Sequence, residues 1–229
     1  MDSNEIKTLI YNQLHELLDS LKVGFDGDEL AYLSSQTKNE QPIRDKIAWR
    51  LHQIIGAQDP NNKYIVRREW APKGSQRRQG RVDLAILQMD DTKENVEKVL
   101  ALIEFKVQSI ARKESWYIDE FKHDIQKMRD FVKNDVTCKD ADLYFVFLET
   151  MQDRKADKFK SELAYAKYQT KSVRYYQDNS DLSDIKSFWR EFSVALKEHI
   201  DFPKPMAIYI GEAFGYKQYV IPLVIGPFK

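Results

Sequence analysis

A single cysteine, Cys138, stands in a chain of 229 residues, so neither an intramolecular disulfide nor a cysteine-based metal site can be built, which fits a reducing compartment. Neither sign of charge is in excess: 36 Lys and Arg balance 36 Asp and Glu. No global field therefore draws the chain onto nucleic acid or an anionic membrane, and any such binding must use a local patch. Eight Gly and seven Pro are too few for a low-complexity or disordered chain. No segment approaches the roughly 18 consecutive apolar residues of a membrane span. The opening stretch "MDSNEIKTLIYNQLHELLDSL" begins acidic and carries polar residues on a regular period, unlike a signal peptide. His15, His52, His123 and His199 stand at no metal-ligand spacing, and three lie in charged helical stretches, which reads as surface. No Gly-rich phosphate loop, nucleophile elbow or kinase motif occurs. The expectation is a soluble, cytoplasmic protein with no membrane partner.

What is present is enough apolar material, 42% of residues against 31% charged, for one sizeable globular unit. Residues 4–22 place Ile6, Leu9, Ile10, Leu14, Leu17, Leu18 and Leu21 at helical spacing, and a short helix restarts at Asp28. We read residues 1–38 as a helical segment packed on the core of a domain spanning 39–229. "NEQPIRDKIAWRLHQIIG" is a second long helix with Asn39 as N-cap, Pro42 in the first turn, Gly56 at its end and a buried stripe through Ile43, Ile47 and Leu51. From Lys63 the period becomes strand-like: "KYIVRREW", "RVDLAILQM" and "KVLALIEFKVQ" are joined closely enough for an antiparallel meander. Residues 113–133 return to helical spacing through Trp116, Phe121, Ile125, Met128 and Val132, and "DLYFVFLETM" follows as the parallel strand that such a crossover reaches. Further helices are expected at about 155–168 and 183–199. Two closing strands flank a Gly-Tyr turn, the last placed at a sheet edge by Pro222. The fold class is mixed α/β, a central mixed sheet flanked by helices.

Three charges interrupt this core pattern. Alternation puts Val82, Leu84 and Ile86 on one face of their strand and Arg81, Asp83 and Ala85 on the other; in the next strand Ile103, Phe105 and Val107 oppose Leu102, Glu104 and Lys106. Pairing the apolar faces brings Asp83, Glu104 and Lys106 to one side. Two adjacent carboxylates repel unless a cation lies between them, and a hard divalent ion with oxygen ligands, Mg²⁺, relieves that repulsion. A salt bridge between Lys106 and Asp83 is the structural alternative.

Asp83 on one strand followed by Glu104-Phe105-Lys106 on the next resembles the PD-(D/E)XK nuclease superfamily, with its restriction-endonuclease-like fold. The resemblance covers roughly residues 39–150: "NEQPIRDKIAWRL" is similar to the acid-bearing first core helix, and "FKHDIQKMRDF" with "ADLYFVFLE" to the helix and strand after the motif. It implies a metal-dependent endonuclease hydrolysing phosphodiester bonds in DNA, with RNA also open, in restriction or phage defence, as a homodimer if both strands are cut. Asp83 and Glu104 would ligate Mg²⁺, for which Mn²⁺ can substitute, with the Phe105 carbonyl; Lys106 would position or deprotonate water; Glu40 would be the supporting helix acid, with Asp45 and Glu69 as competitors. Val82 stands where the family's motif has Pro. A fold of this kind that no longer cuts, serving as a nucleic-acid-binding or protein-interaction module, is the rival.

The loop "KGSQRRQGR" offers Lys73, Arg77, Arg78 and Arg81 as phosphate contacts beside Asp83. "SVRYY" reads as a strand or a stacking segment. Asp124 and Lys127, three residues apart on the helix after the motif, read as a helix-surface pair, with Lys127 facing the active cleft as the alternative.

Overall fold

In the computed structural model the described residues are 2–19, 25–34, 40–73, 80–108, 114–153, 174–175, 189–190, 193–194, 206–213 and 215–228. Helices α1 (Ser3–Asp19), α2 (Glu29–Ser34) and α3 (Glu40–Gln58) come first, followed by strands β1 (Tyr64–Trp70), β2 (Val82–Met89) and β3 (Val96–Gln108). Helix α4 (Glu114–Asn134), a 3-10 turn at Val136–Cys138 and β4 (Asp142–Gln152) complete the crossover; β5 (Arg174–Tyr175), β6 (Ile208–Ala213) and β7 (Tyr216–Phe228) follow.

The protein is mixed α/β. β1, β2 and β3 form the expected antiparallel meander, and β3 runs parallel to β4, as a connection containing a 21-residue helix permits. The sheet order is β1-β2-β3-β4-β7-β6, with β5 paired to the end of β4. The side of β4 opposite β7 is held by β3 as far as Gln108, and β5 takes it up at Met151.

The helices form two layers. Ile6, Ile10 and Leu14 of α1, Leu30 of α2 and Ile43, Ile47, Leu51 and Ile55 of α3 pack with Leu84, Ile86, Ile103, Phe105, Val107 and Val146 on one face. On the other, Phe121, Ile125, Met128 and Phe131 of α4 meet Leu102, Phe145, Phe147 and Ile221. Each such apolar side chain contributes about 1.5–3 kcal/mol by leaving water, so both layers hold the helices against the sheet.

Three expectations need correction. Helix α3 passes through Gly56 and ends at Gln58, because its last turn still buries Ile55. Val82 packs with Ala85 on the α4 side, away from Leu84 and Ile86, at the end of the strand that pairs with β1 but not with β3. β7 is an interior strand between β4 and β6; Pro222 is tolerated because β6 pairs β7 only as far as Val220, leaving Pro222 with β4 alone. Of the two late helices, Trp189, Arg190, Ser193 and Val194 are helical, and 155–168 lies outside the described residues, as do Asn39 and Leu21.

Candidate functional site

The site lies where β2 starts. Its first residue paired with β3, Leu84, faces Ile103, yet β3 continues four residues beyond Glu104 alongside β4. Strand N–H groups alternate between the two edges, so the amides of Phe105 and Val107 point toward the edge that β2 leaves unpaired. Buried amides require partners. Asp83 Oδ2 accepts from Phe105 N at 2.8 Å, and Glu40 Oε2, at the start of α3, accepts from Val107 N at 3.3 Å. Two of the expected acids are thus drawn to the motif strand by its own unpaired backbone.

Arg44 fixes Asp83 from the helix side. It lies on the buried stripe of α3 with a side chain only 5% exposed, and its guanidinium donates to Asp83 Oδ1 at 2.8 Å, to Asp45 Oδ1 at 3.2 Å and to Glu69. Burial works against the Arg44 charge, but the hydrogen bonds it donates to Asp83 and Glu69 outweigh it and raise its pKa. Glu69 adopts φ 49°, a left-handed conformation that costs an L residue about 1–2 kcal/mol. Asp45 also pairs with Arg68. The two competitors for the helix acid are therefore engaged by arginines, whereas Glu40 lies close enough to Lys106 and Asp83 to feel both charges.

Glu104 and Lys106 face α4. Lys127 Nζ stands 2.5 Å from Glu104 Oε1, an ion pair without good hydrogen-bond alignment, and donates to Asp124 Oδ1 at 3.0 Å and the Arg81 carbonyl at 2.9 Å. Lys106 Nζ pairs with Asp124 Oδ2 at 3.2 Å. A Lys106–Asp83 bridge is not what forms: Asp83 goes to Arg44 and Lys106 to Asp124. Burial and the Asp83 charge push the Glu104 pKa well above the carboxylate range. Burial also raises Glu40, with Lys106 opposing. For Lys106 burial acts against the charge, and Asp124 and Glu40 overcome it, so its pKa rises.

No family model, curated protein or solved structure matches this chain.

Among the described residues no three His, Cys, Asp or Glu side chains are arranged to hold a metal ion. The expected donor set asks for two carboxylates and the Phe105 carbonyl, and its chemistry is that of a hard cation. Each Asp83 oxygen accepts one hydrogen bond and has a second lone pair. Glu104, held toward its neutral form by burial and by Asp83, is the group a nearby cation would stabilise.

Of the loop cations, Lys73 and Arg81 are exposed, while Arg77 and Arg78 lie outside the described residues. His52 and His123 are exposed, but His15 is half-buried against Tyr11, with ring centroids 4.5 Å apart. Burial pushes the Cys138 thiol up to about 12, which removes it as a nucleophile near neutrality. No described helix is long and apolar enough to cross a membrane.

Sequence reasoning missed Arg44 and misread the Asp124–Lys127 pair. That pair is at 3.0 Å, yet both side chains are only about a tenth exposed and turn inward, toward Glu104 and Lys106. A signal existed. Arg44, Ala48, Leu51 and Ile55 fall at i, i+4, i+7 and i+11, and Asp124 sits among Phe121, Ile125, Met128 and Phe131. Each charge stands on an apolar stripe, where burial is the default.

Proposed function

We propose that this chain is an endonuclease of the PD-(D/E)XK type, with a restriction-endonuclease-like fold, hydrolysing phosphodiester bonds in DNA with Mg²⁺ in a cytoplasmic defence role. The observation that carries the reading is Asp83 at the start of β2, bonded to the backbone of the neighbouring Glu104-Phe105-Lys106 strand, with Glu40 on the next amide of the same edge. Asp83, Glu104 and the Phe105 carbonyl, which leaves the strand on the same edge as its N–H, would hold the ion. When bound, the ion supplies Lewis acidity toward a phosphate oxygen and a water.

The protein's own groups divide the remaining work. Arg44 holds Asp83 in one orientation, so the carboxylate does not reorganise as charge develops. Lys106 keeps its proton, since Asp124 and Glu40 raise its pKa; it orients water and steadies phosphate charge, and it does not act as a base. Glu40, whose burial raises its pKa toward the range useful for general bases, receives the water proton as the water oxygen bonds to phosphorus; the ester P–O bond breaks with its electron pair leaving on the departing oxygen, which takes a proton from solvent.

Plasmid cleavage with Mg²⁺ tests the reading. Wild type should nick or cut, and Asp83→Ala and Lys106→Ala should each lose activity; cleavage surviving in both variants removes the assignment. One observation favours a second reading, a module of the same kind that binds nucleic acid without cutting: Arg44, Lys127 and Lys106 already neutralise the acids. A crystal soaked in Mn²⁺ separates the two, because a non-cutting module would show no ion between Asp83 and Glu104.

A further inference from the structure

Asp83 and Glu104 are held by cations of different character. Asp83 is clamped by a planar, buried guanidinium that also grips Asp45 and Glu69, so its partner is fixed at several points. Glu104 is paired instead with an ammonium at the end of a flexible four-carbon stem. That stem lies over Gly80, where φ is +76° and an added Cβ would come within 3.2 Å of Lys127 Cδ. The three oxygens around Lys127 Nζ are Glu104 Oε1 at 2.5 Å, Asp124 Oδ1 at 3.0 Å and the Arg81 carbonyl at 2.9 Å. An ammonium in that setting is surrounded by oxygens and shares one of them, on Glu104, with the donor set of the metal-dependent reading.

We propose that Lys127 is a positioning residue for Glu104, its ammonium holding the carboxylate in the site until a divalent ion displaces it. The proposal rests on the metal-dependent reading above. The pairing is asymmetric in the way displacement requires: if Lys127 withdraws, Asp124 keeps Lys106 at 3.2 Å, and only Glu104 is left to the incoming ion. Arg44 meanwhile never leaves Asp83. One ligand is then permanently set and the other is released on loading, so ordinary apo protein holds no pair of naked adjacent carboxylates, an arrangement that would be costly.

The test reads binding and not turnover. The melting temperature of the full chain is followed during Mg²⁺ titration, for wild type and Lys127→Ala. Removal of the competing cation should lower the apparent Kd for Mg²⁺ by about tenfold or more, as expected when a binding-competent state no longer has to be released. A merely structural lysine would not tighten metal binding when removed. If Lys127→Ala does not fold, Lys127→Gln keeps most of the stem, removes the charge and carries the same expectation. Equal or weaker Mg²⁺ binding in the variant overturns the proposal while leaving the metal-dependent reading intact. Binding by the variant alone overturns displacement, because the wild-type ammonium is then never displaced, and no shift in either protein overturns both the proposal and the metal-dependent reading.

Discussion

Asp83 Oδ2 accepts a hydrogen bond from the Phe105 amide at 2.8 Å, so a side chain at the start of β2 replaces the backbone partner that β2 does not supply. The same device recurs one step along, where Glu40 takes the Val107 amide. A structural requirement and a chemical one coincide: the sheet edge must be satisfied, and the groups that satisfy it are carboxylates aligned beside Glu104 and Lys106.

That relationship makes hydrogen exchange specific. Asp83→Ala should accelerate exchange of the Phe105 amide, and Glu40→Ala that of Val107, with amides deep in β3 such as Ile103 little changed. Each lost bond is worth about 1 kcal/mol, or roughly fivefold in local opening. Uniform acceleration along β3 in either variant would show that the acids support the whole strand and not its end.

Arg44 holds three carboxylates with its side chain almost wholly out of water. Arg44→Met should lower the unfolding free energy by about 3–5 kcal/mol, the cost of leaving a buried acid without its partner. Adding Asp83→Asn should recover part of that loss, giving a coupling of about 0.5–3 kcal/mol in a urea-unfolding cycle. Strict additivity would mean that the two groups do not stabilise each other.

The acids also set a pH dependence. Glu104 and Glu40 both have raised pKa values, chiefly through burial. Above the ordinary value the native state then binds more protons than the unfolded chain, so stability falls as pH rises through the folded pKa. Their favourable contribution is complete only below the unfolded value of 4.5. Unfolding measured between about pH 5 and pH 8 should show a slope that Glu104→Gln makes shallower. Lys106 and Lys127, also raised, act at the other end: their contribution is present below 10.5 and is lost as pH climbs beyond it.

Much of this site could be read from residue order. Alternation in "RVDLAILQM" and "KVLALIEFKVQ" identified the meander strands, and the long amphipathic stretch after them identified the crossover. What alternation cannot give is where pairing stops. The start of the β2–β3 pairing at Leu84 leaves Phe105 and Val107 in need of carboxylate partners, and Arg44 stands behind the one that Asp83 supplies. Nor can the chain order show that Asp124 and Lys127 face inward, because a charged pair three residues apart has the same spacing on a wet or a dry helix face. Pro222 informs in the same local way: it stands beyond Val220, where β7 has β4 alone as a neighbour, and says nothing of the half of β7 that β6 covers.

Gly80 is required by both backbone and neighbour. Its φ of +76° disfavours any side chain, and a Cβ would approach Lys127 Cδ to 3.2 Å. Gly80→Ala should therefore destabilise by about 1–2 kcal/mol in urea unfolding, most of it backbone strain. A neutral or stabilising outcome would show that the turn before β2 relaxes without disturbing Lys127.

The exposed cations just before Asp83 should be visible in salt dependence. Arg81 presents its side chain to solvent while its carbonyl accepts from Lys127, so truncating the side chain leaves the Lys127 contact in place. If Arg81 contacts a phosphate, Arg81→Ala should weaken duplex DNA binding similarly for every sequence and reduce the slope of log K against log salt by about 1, since each neutralised phosphate contributes roughly 0.9. Lys73→Ala should act in the same way, and neither change should alter the melting temperature. Binding measured with Ca²⁺ in place of Mg²⁺ keeps cleavage out of the readout. An unchanged slope in both variants would take this loop out of the proposed nucleic-acid interface.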